Sequence, residues 1–160
     1  MTRVPYNDLP DDLPVKNNLV KVAYANPEMF RGFASLSGRV HSASHLPDRT
    51  RELVIMRVTG MLDAEYEWRA HARIAARNGV TDADLEALRS GDDDHFEGAE
   101  RAAIVFTGAF ERREVDDAAW NAARAFYSEV ELLDMCVLAG FYGLASRFTL
   151  AVDLEPDADF

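Results

Sequence analysis

The chain has 160 residues, 48% of them apolar, a size and composition that suit one folded domain and not a disordered segment. Seventeen basic against 28 acidic residues give a net charge of -11, a surface that repels nucleic-acid backbones and anionic membranes. A single cysteine, Cys136, excludes an intramolecular disulfide and a cysteine-built metal site. The longest uncharged apolar run, "MCVLAGFYGLAS", falls short of the ~20 residues a bilayer-spanning helix needs.

In chain order, prolines crowd the first fourteen residues, with no apolar signal core. Residues 1–18 are therefore expected to be an extended arm, and the protein is expected to be cytoplasmic. From there to residue 154 the apolar period is helical, and no strand-like alternation occurs. A short helix is expected near Leu19. The next, "PEMFRGFASLSGRVHSAS", begins with Pro27, which suits a first turn. "LPDRTRELVIMRVTGML" offers Asp48 as a cap, and "AEYEWRAHARIAARNGV" stops at Asn78-Gly79. Thr81 and Asp84 open a short helix that closes near Gly91. Helices over "EGAERAAIVFTGAFERRE" and "DDAAWNAARAFYS" follow. Ser128 and Glu131 form a capping box for a last long helix running toward Val152. The expectation is a single all-α bundle of about seven helices over residues 19–154, with an acidic tail at 155–160. The last helix is apolar on nearly every side and should be buried, in part against another subunit.

Three polar residues lie on otherwise apolar stripes. Glu52 shares its face with Ile55, Met56 and Thr59, while Glu67 and His71 sit one turn apart beside Ala70, Ile74 and Ala75. A titratable group so placed needs a partner or a shifted protonation. Glu65 points away and is expected to be solvated, as is His95 in "GDDDHFE". Trp68 is expected in the core or an interface. His41 and His45 form another i,i+4 pair, but spacing supplies no third ligand and no metal is expected.

Beyond the arm, "LPDRTRELVIMRVTG", "EYEWRAHARIAARNGVTDADLEALRSG" and "LLDMCVLAGFYGLASRF" resemble the carboxymuconolactone decarboxylase superfamily, which includes the alkylhydroperoxidase D-like proteins. The family pattern is a glutamate, eleven residues, cysteine, two residues, cysteine, three residues, histidine. Glu52 and His71 fit that frame, but Ala64 and Glu67 stand at the two cysteine positions. Peroxide reduction in the cysteine branch requires a low-pKa thiolate and a resolving thiol, and neither position supplies one. Cys136 lies outside the motif and is expected to act as a small core hydrophobe.

The cysteine-free branch implies a different chemistry: loss of carbon dioxide from a carboxylated γ-lactone, with no cofactor. His71 would carry the proton, since histidine ordinarily titrates near ~6.5, and Glu67 and Glu52 would be its partners. Tyr66, Arg147 and His45 are the candidate substrate contacts. Arg147, in "YGLASRFTLA", is the preferred carboxylate clamp among Arg51, Arg69, Arg73 and Arg147, with a structural bridge to Glu52 or Asp134 as its other reading. The resemblance also implies a homotrimer or homohexamer acting on a small molecule, with no nucleic-acid or membrane partner. Two other functions remain open at this stage: an alkylhydroperoxidase or peroxiredoxin-like activity, and a non-catalytic oligomeric binding module.

Overall fold

The computed structural model describes residues 2–158. Within them lie eight α-helices: α1 (Asn18–Ala23), α2 (Pro27–Ser42), α3 (Asp48–Met61), α4 (Glu65–Arg77), α5 (Asp82–Ser90), α6 (Gly98–Arg112), α7 (Asp117–Arg124) and α8 (Glu129–Ala151). One 3-10 turn, Asp93–His95, separates α5 from α6, and the described residues contain no strand. Every helical segment expected from the sequence is present. Counted with the short α1, they number eight, the same segments that the sequence marks out and close to the expected total of about seven.

The caps explain most boundaries. The Thr81 and Ser128 side chains accept from the backbone N–H three residues on, and Asp84 and Glu131 return the bond. Gly79 takes φ 83° just past α4, a left-handed conformation that favours glycine. Asp48 departs from its expected role. It is the first residue of α3, not its cap, and its carboxylate lies 2.9 Å from Arg51.

α3 is the centre of the bundle and packs against α4, α5, α6 and α8. Val54, Ile55 and Val58 pack with Phe106, Leu132 and Leu138, while Leu53 and Met56 pack with Trp68, Leu88 and Ile104. A helix buried all round must take its polar residues inside with it, and this places Glu52 in the interior. Trp68 wedges between α3 and α5, with the Arg89 guanidinium 4.1 Å from its ring. A β-carbon at Gly60 would lie 3.1 Å from that indole and 3.4 Å from the Leu88 carbonyl, so the close approach depends on glycine.

α8 is only partly buried within the chain. One face is buried, but Val130, Leu133, Val137 and Leu144 are between 51% and 58% exposed. The chain before α1 and the chain after α8 are tied to the bundle. The Arg3 backbone N–H donates to the Val152 carbonyl, and the Asp157 carboxylate accepts from the Asn18 backbone N–H. Among the described residues no helix is long and apolar enough to cross a membrane.

Candidate functional site

Glu52 projects from α3 and His71 from α4, two helices joined by residues 62–64 and packed side by side. Glu52 is fully buried, Glu67 is 4% exposed and His71 8%, so an exposed ion pair at helical spacing does not describe them. Glu52 Oε2 lies 3.2 Å from His71 Nδ1. His71 Nε2 lies 2.9 Å from the hydroxyl of Tyr142, a residue of α8. That hydroxyl is also 2.8 Å from Nε2 of His41, on the last turn of α2. Four side chains from four helices thus form one continuous hydrogen-bonded path: Glu52, His71, Tyr142, His41.

The partner on His71 is Glu52, whereas Glu67 acts on the imidazole through its field. Burial raises the Glu67 pKa, and the nearby His71 partly opposes the rise. Glu67 Oε1 is buried with no hydrogen-bond partner among the described residues, and so is Glu52 Oε1. Each such oxygen costs ~1–3 kcal/mol, which a proton or a donor group would offset. Arg51 supplies the local positive charge. It is nearly buried, and its Nε stands 3.9 Å from Glu52 Oε1. Burial, then the charges of Glu67 and Glu52, hold the Tyr142 pKa well above the usual phenol value, so its O–H stays protonated. Burial, followed by the neighbouring His71, lowers the His41 pKa.

The expected substrate contacts have other partners. The Tyr66 hydroxyl donates to Asp157 Oδ2 at 2.7 Å and accepts from the Leu19 backbone N–H at 3.2 Å. Arg147 is exposed and pairs with Glu111 at 3.1 Å, not with Glu52 or Asp134. It borders an open cavity of about 580 Å³ with Phe110, Glu111, Arg113, Val115 and Gly140. His45 lies beyond the end of α2, where the i,i+4 register with His41 is lost, and pairs with Asp134 at 2.9 Å. His95 is exposed as expected, yet its Nε2 also lies 2.9 Å from Asp84. Glu65 pairs with Arg69 and Arg89 at the surface. The described residues contain no cluster of three or more His, Cys, Asp or Glu side chains arranged for a metal ion. Cys136 is half-buried against the core and burial raises its thiol pKa, the opposite of an activated nucleophile.

Sequence reasoning missed Tyr142 and the role of His41. Tyr142 reads as one more aromatic on an apolar helix. Only a search for polar atoms on buried faces, at both ends of the chain, could have singled it out.

The family model for the carboxymuconolactone decarboxylase family matches residues 27–107, just over half of the chain, with Glu52, Glu67 and His71 inside the match. No curated protein matches the sequence. Among solved structures, the fold is similar to the alkylhydroperoxidase AhpD core of an uncharacterised peroxidase-related protein from Ralstonia eutropha JMP134. That likeness has a TM-score of 0.85 and 18% identity, covering 99% of this chain and 93% of that one. A peroxidase-related protein from Silicibacter sp. TM1040 gives a TM-score of 0.78 at 20% identity over 86% and 75% of the two chains. The debrominase Bmp8 gives 0.76 at 21% identity over 90% and 78%. At these identities the likeness establishes a shared fold and no shared activity. The chain belongs to the carboxymuconolactone decarboxylase family, with the alkylhydroperoxidase D-like fold.

Proposed function

We propose that this member of the carboxymuconolactone decarboxylase family is a cofactor-independent acid/base enzyme, a carboxy-lyase or isomerase acting on a small lactone or oxo-acid. The observation that carries this reading is the buried Glu52–His71 pair beside Glu67, in a chain with no thiol at the motif positions. In the lyase form, the bond to the departing carboxylate breaks and its electron pair moves into the conjugated carbonyl. Donors hold the resulting dienolate oxygen, and one proton is then returned to carbon. Glu67, whose raised pKa keeps it protonated to higher pH, donates that proton. His71, oriented by Glu52, restores it. Arg51 offsets the negative charge that would otherwise repel an anionic substrate. Tyr66, Arg147 and His45 would reach a substrate only by giving up Asp157, Glu111 and Asp134 respectively.

A cysteine-dependent peroxidase fits less well, because Ala64 and Glu67 occupy the thiol positions and Cys136 is half-buried with a raised pKa. A second reading, a non-catalytic helix-pairing bridge in an oligomeric binding module, is favoured by one observation. Both nitrogens of His71 are already engaged by protein groups.

The same proposal takes the protein as a cytoplasmic homotrimer or homohexamer. Support comes from α8, where Val130, Leu133, Val137, Gly140, Leu144, Arg147 and Ala151 are all exposed. Their spacing alternates three and four residues, the period of a helix-to-helix seam.

The test offers the protein carboxylated γ-lactones and 2-oxo acids while carbon dioxide is followed, and alkyl hydroperoxides with a dithiol in parallel. Carbon dioxide release that Cys136→Ser leaves intact and His71→Ala abolishes is the expected result. Peroxide turnover lost in Cys136→Ser would overturn the proposal in favour of the thiol route.

A further inference from the structure

The path through His71 does not end there, and its far half has no part in the chemistry proposed above. The Tyr142 hydroxyl sits between two imidazole nitrogens, 2.9 Å from His71 Nε2 and 2.8 Å from His41 Nε2. The two imidazole rings are near parallel, 6° apart in plane, and Tyr142 stands edge-on to both at 83°. A hydroxyl has one proton, so Tyr142 can donate to only one of these nitrogens at a time and must accept from the other. The geometry points to Tyr142 and His41 as a proton relay that connects His71 to the least buried member of the path. The inference rests on the acid/base reading of His71.

The states on either side of a transfer are fully defined. In the resting state the Glu52 carboxylate accepts from Nδ1–H of His71, which leaves His71 Nε2 bare. Tyr142 then donates to His71 Nε2, and its oxygen accepts from Nε2–H of His41, whose Nδ1 is bare. A proton arriving at His41 Nδ1 releases the Nε2 proton to the Tyr142 oxygen, and the Tyr142 proton passes to His71 Nε2. His71 is now an imidazolium held by Glu52, Tyr142 donates to His41, and His41 has become its Nδ1–H tautomer. One proton enters, one site gains charge, and no other group changes its proton count. The charged and titratable groups whose fields bear on this path are Glu52, Glu67 and Arg51. Burial keeps Tyr142 protonated in both states, and burial followed by the neighbouring His71 lowers the His41 pKa, which favours the neutral ring that can exchange tautomers. Tyr142 and His41 are positioning residues, because they reach the reacting atoms only through His71.

The relay makes a demand that a merely structural hydrogen bond does not. The tautomer of His41 must switch when His71 gains its proton. Long-range proton–nitrogen NMR on the whole protein reads both rings across a pH titration. At about pH 8, where histidine is ordinarily neutral, His71 should be the Nδ1–H tautomer and His41 the Nε2–H tautomer. As His71 charges, His41 should convert to Nδ1–H along the same curve. In Tyr142→Phe, which removes one oxygen, the conversion of His41 should vanish while His71 keeps its bond to Glu52. If Tyr142→Phe does not fold, His41→Asn provides the second reading. The His71 ring N–H should then exchange with water more slowly, by on the order of tenfold or more. A His41 tautomer that ignores the charge on His71, or unchanged exchange in His41→Asn, overturns the relay and leaves the acid/base proposal standing. Full turnover in His71→Ala would instead remove that proposal whatever the tautomers do.

Discussion

Glu52 illustrates how one residue can carry both stability and chemistry, and how the two can be separated. Truncation to alanine leaves a buried imidazole N–H without its anion and Arg51 with Asp48 alone. Breaking a buried pair of this kind should cost on the order of 3 kcal/mol, read by urea unfolding. Glu52→Gln keeps an acceptor of the same shape and should cost about 1 kcal/mol or less. It should nonetheless slow the proposed turnover by ~10²–10⁴-fold, because the neutral amide no longer stabilises the imidazolium. Equal losses of stability in the two variants would mean that Glu52 is a structural strut. Asp84 gives the clearest pH dependence. Burial alone would raise its pKa, but the Thr81 backbone N–H, His95, the Thr81 hydroxyl and Arg49 together lower it from 3.8 to about 2. A depressed carboxylate pKa stabilises the fold above the unfolded value, and this contribution is lost as the pH falls through the folded one. Acid unfolding between about pH 4 and pH 2 should therefore be less steep in Asp84→Asn. An unchanged acid limb would place the linkage elsewhere.

At the scale of elements, the α8 capping box offers a direct check on boundary reading. Ser128→Ala should lower stability by about 1 kcal/mol with no change in fold, measured by thermal unfolding. That box, the Thr81–Asp84 box and the Gly79 stop are local signals, set by residues within a few positions of one another, and each is legible in the sequence. So is the Glu52–Glu67–His71 set, because it lies on two consecutive helices at a recognisable spacing. The other half of the path is not legible, because Tyr142 lies 71 residues from His71 and 101 from His41. What joins them is the packing of α2 and α4 against α8, a tertiary fact no local pattern encodes. The same limit explains His41 and His45. They look like a helical pair until the helix ends at Ser42 and sends the second imidazole to Asp134. α8 is apolar on nearly every side, but apolar composition cannot tell which face meets the chain's own interior and which is left for another subunit. In α3, by contrast, residues 52–59 are all buried within the chain itself.

The whole molecule presents that unpartnered face as a stripe along α8, and a homo-oligomer would cover it. If the proposed homo-oligomer uses this stripe, Leu133→Glu with Leu144→Glu should convert it to monomer in sedimentation and leave the helical content intact. An unchanged assembly size would move the contact elsewhere. The central claim is more general than any surface: a secluded imidazole and two carboxyl groups move protons for a small carboxylated reactant without help from a thiol. The most direct measurement is turnover of a carboxylated γ-lactone in deuterated water by the protein, by Glu67→Gln and by Cys136→Ser. The expected result is one deuterium taken up on carbon for each carbon dioxide released and a rate reduced by ~10²–10⁴-fold in Glu67→Gln, with Cys136→Ser unaffected. Turnover that survives Glu67→Gln and disappears with Cys136→Ser would contradict it.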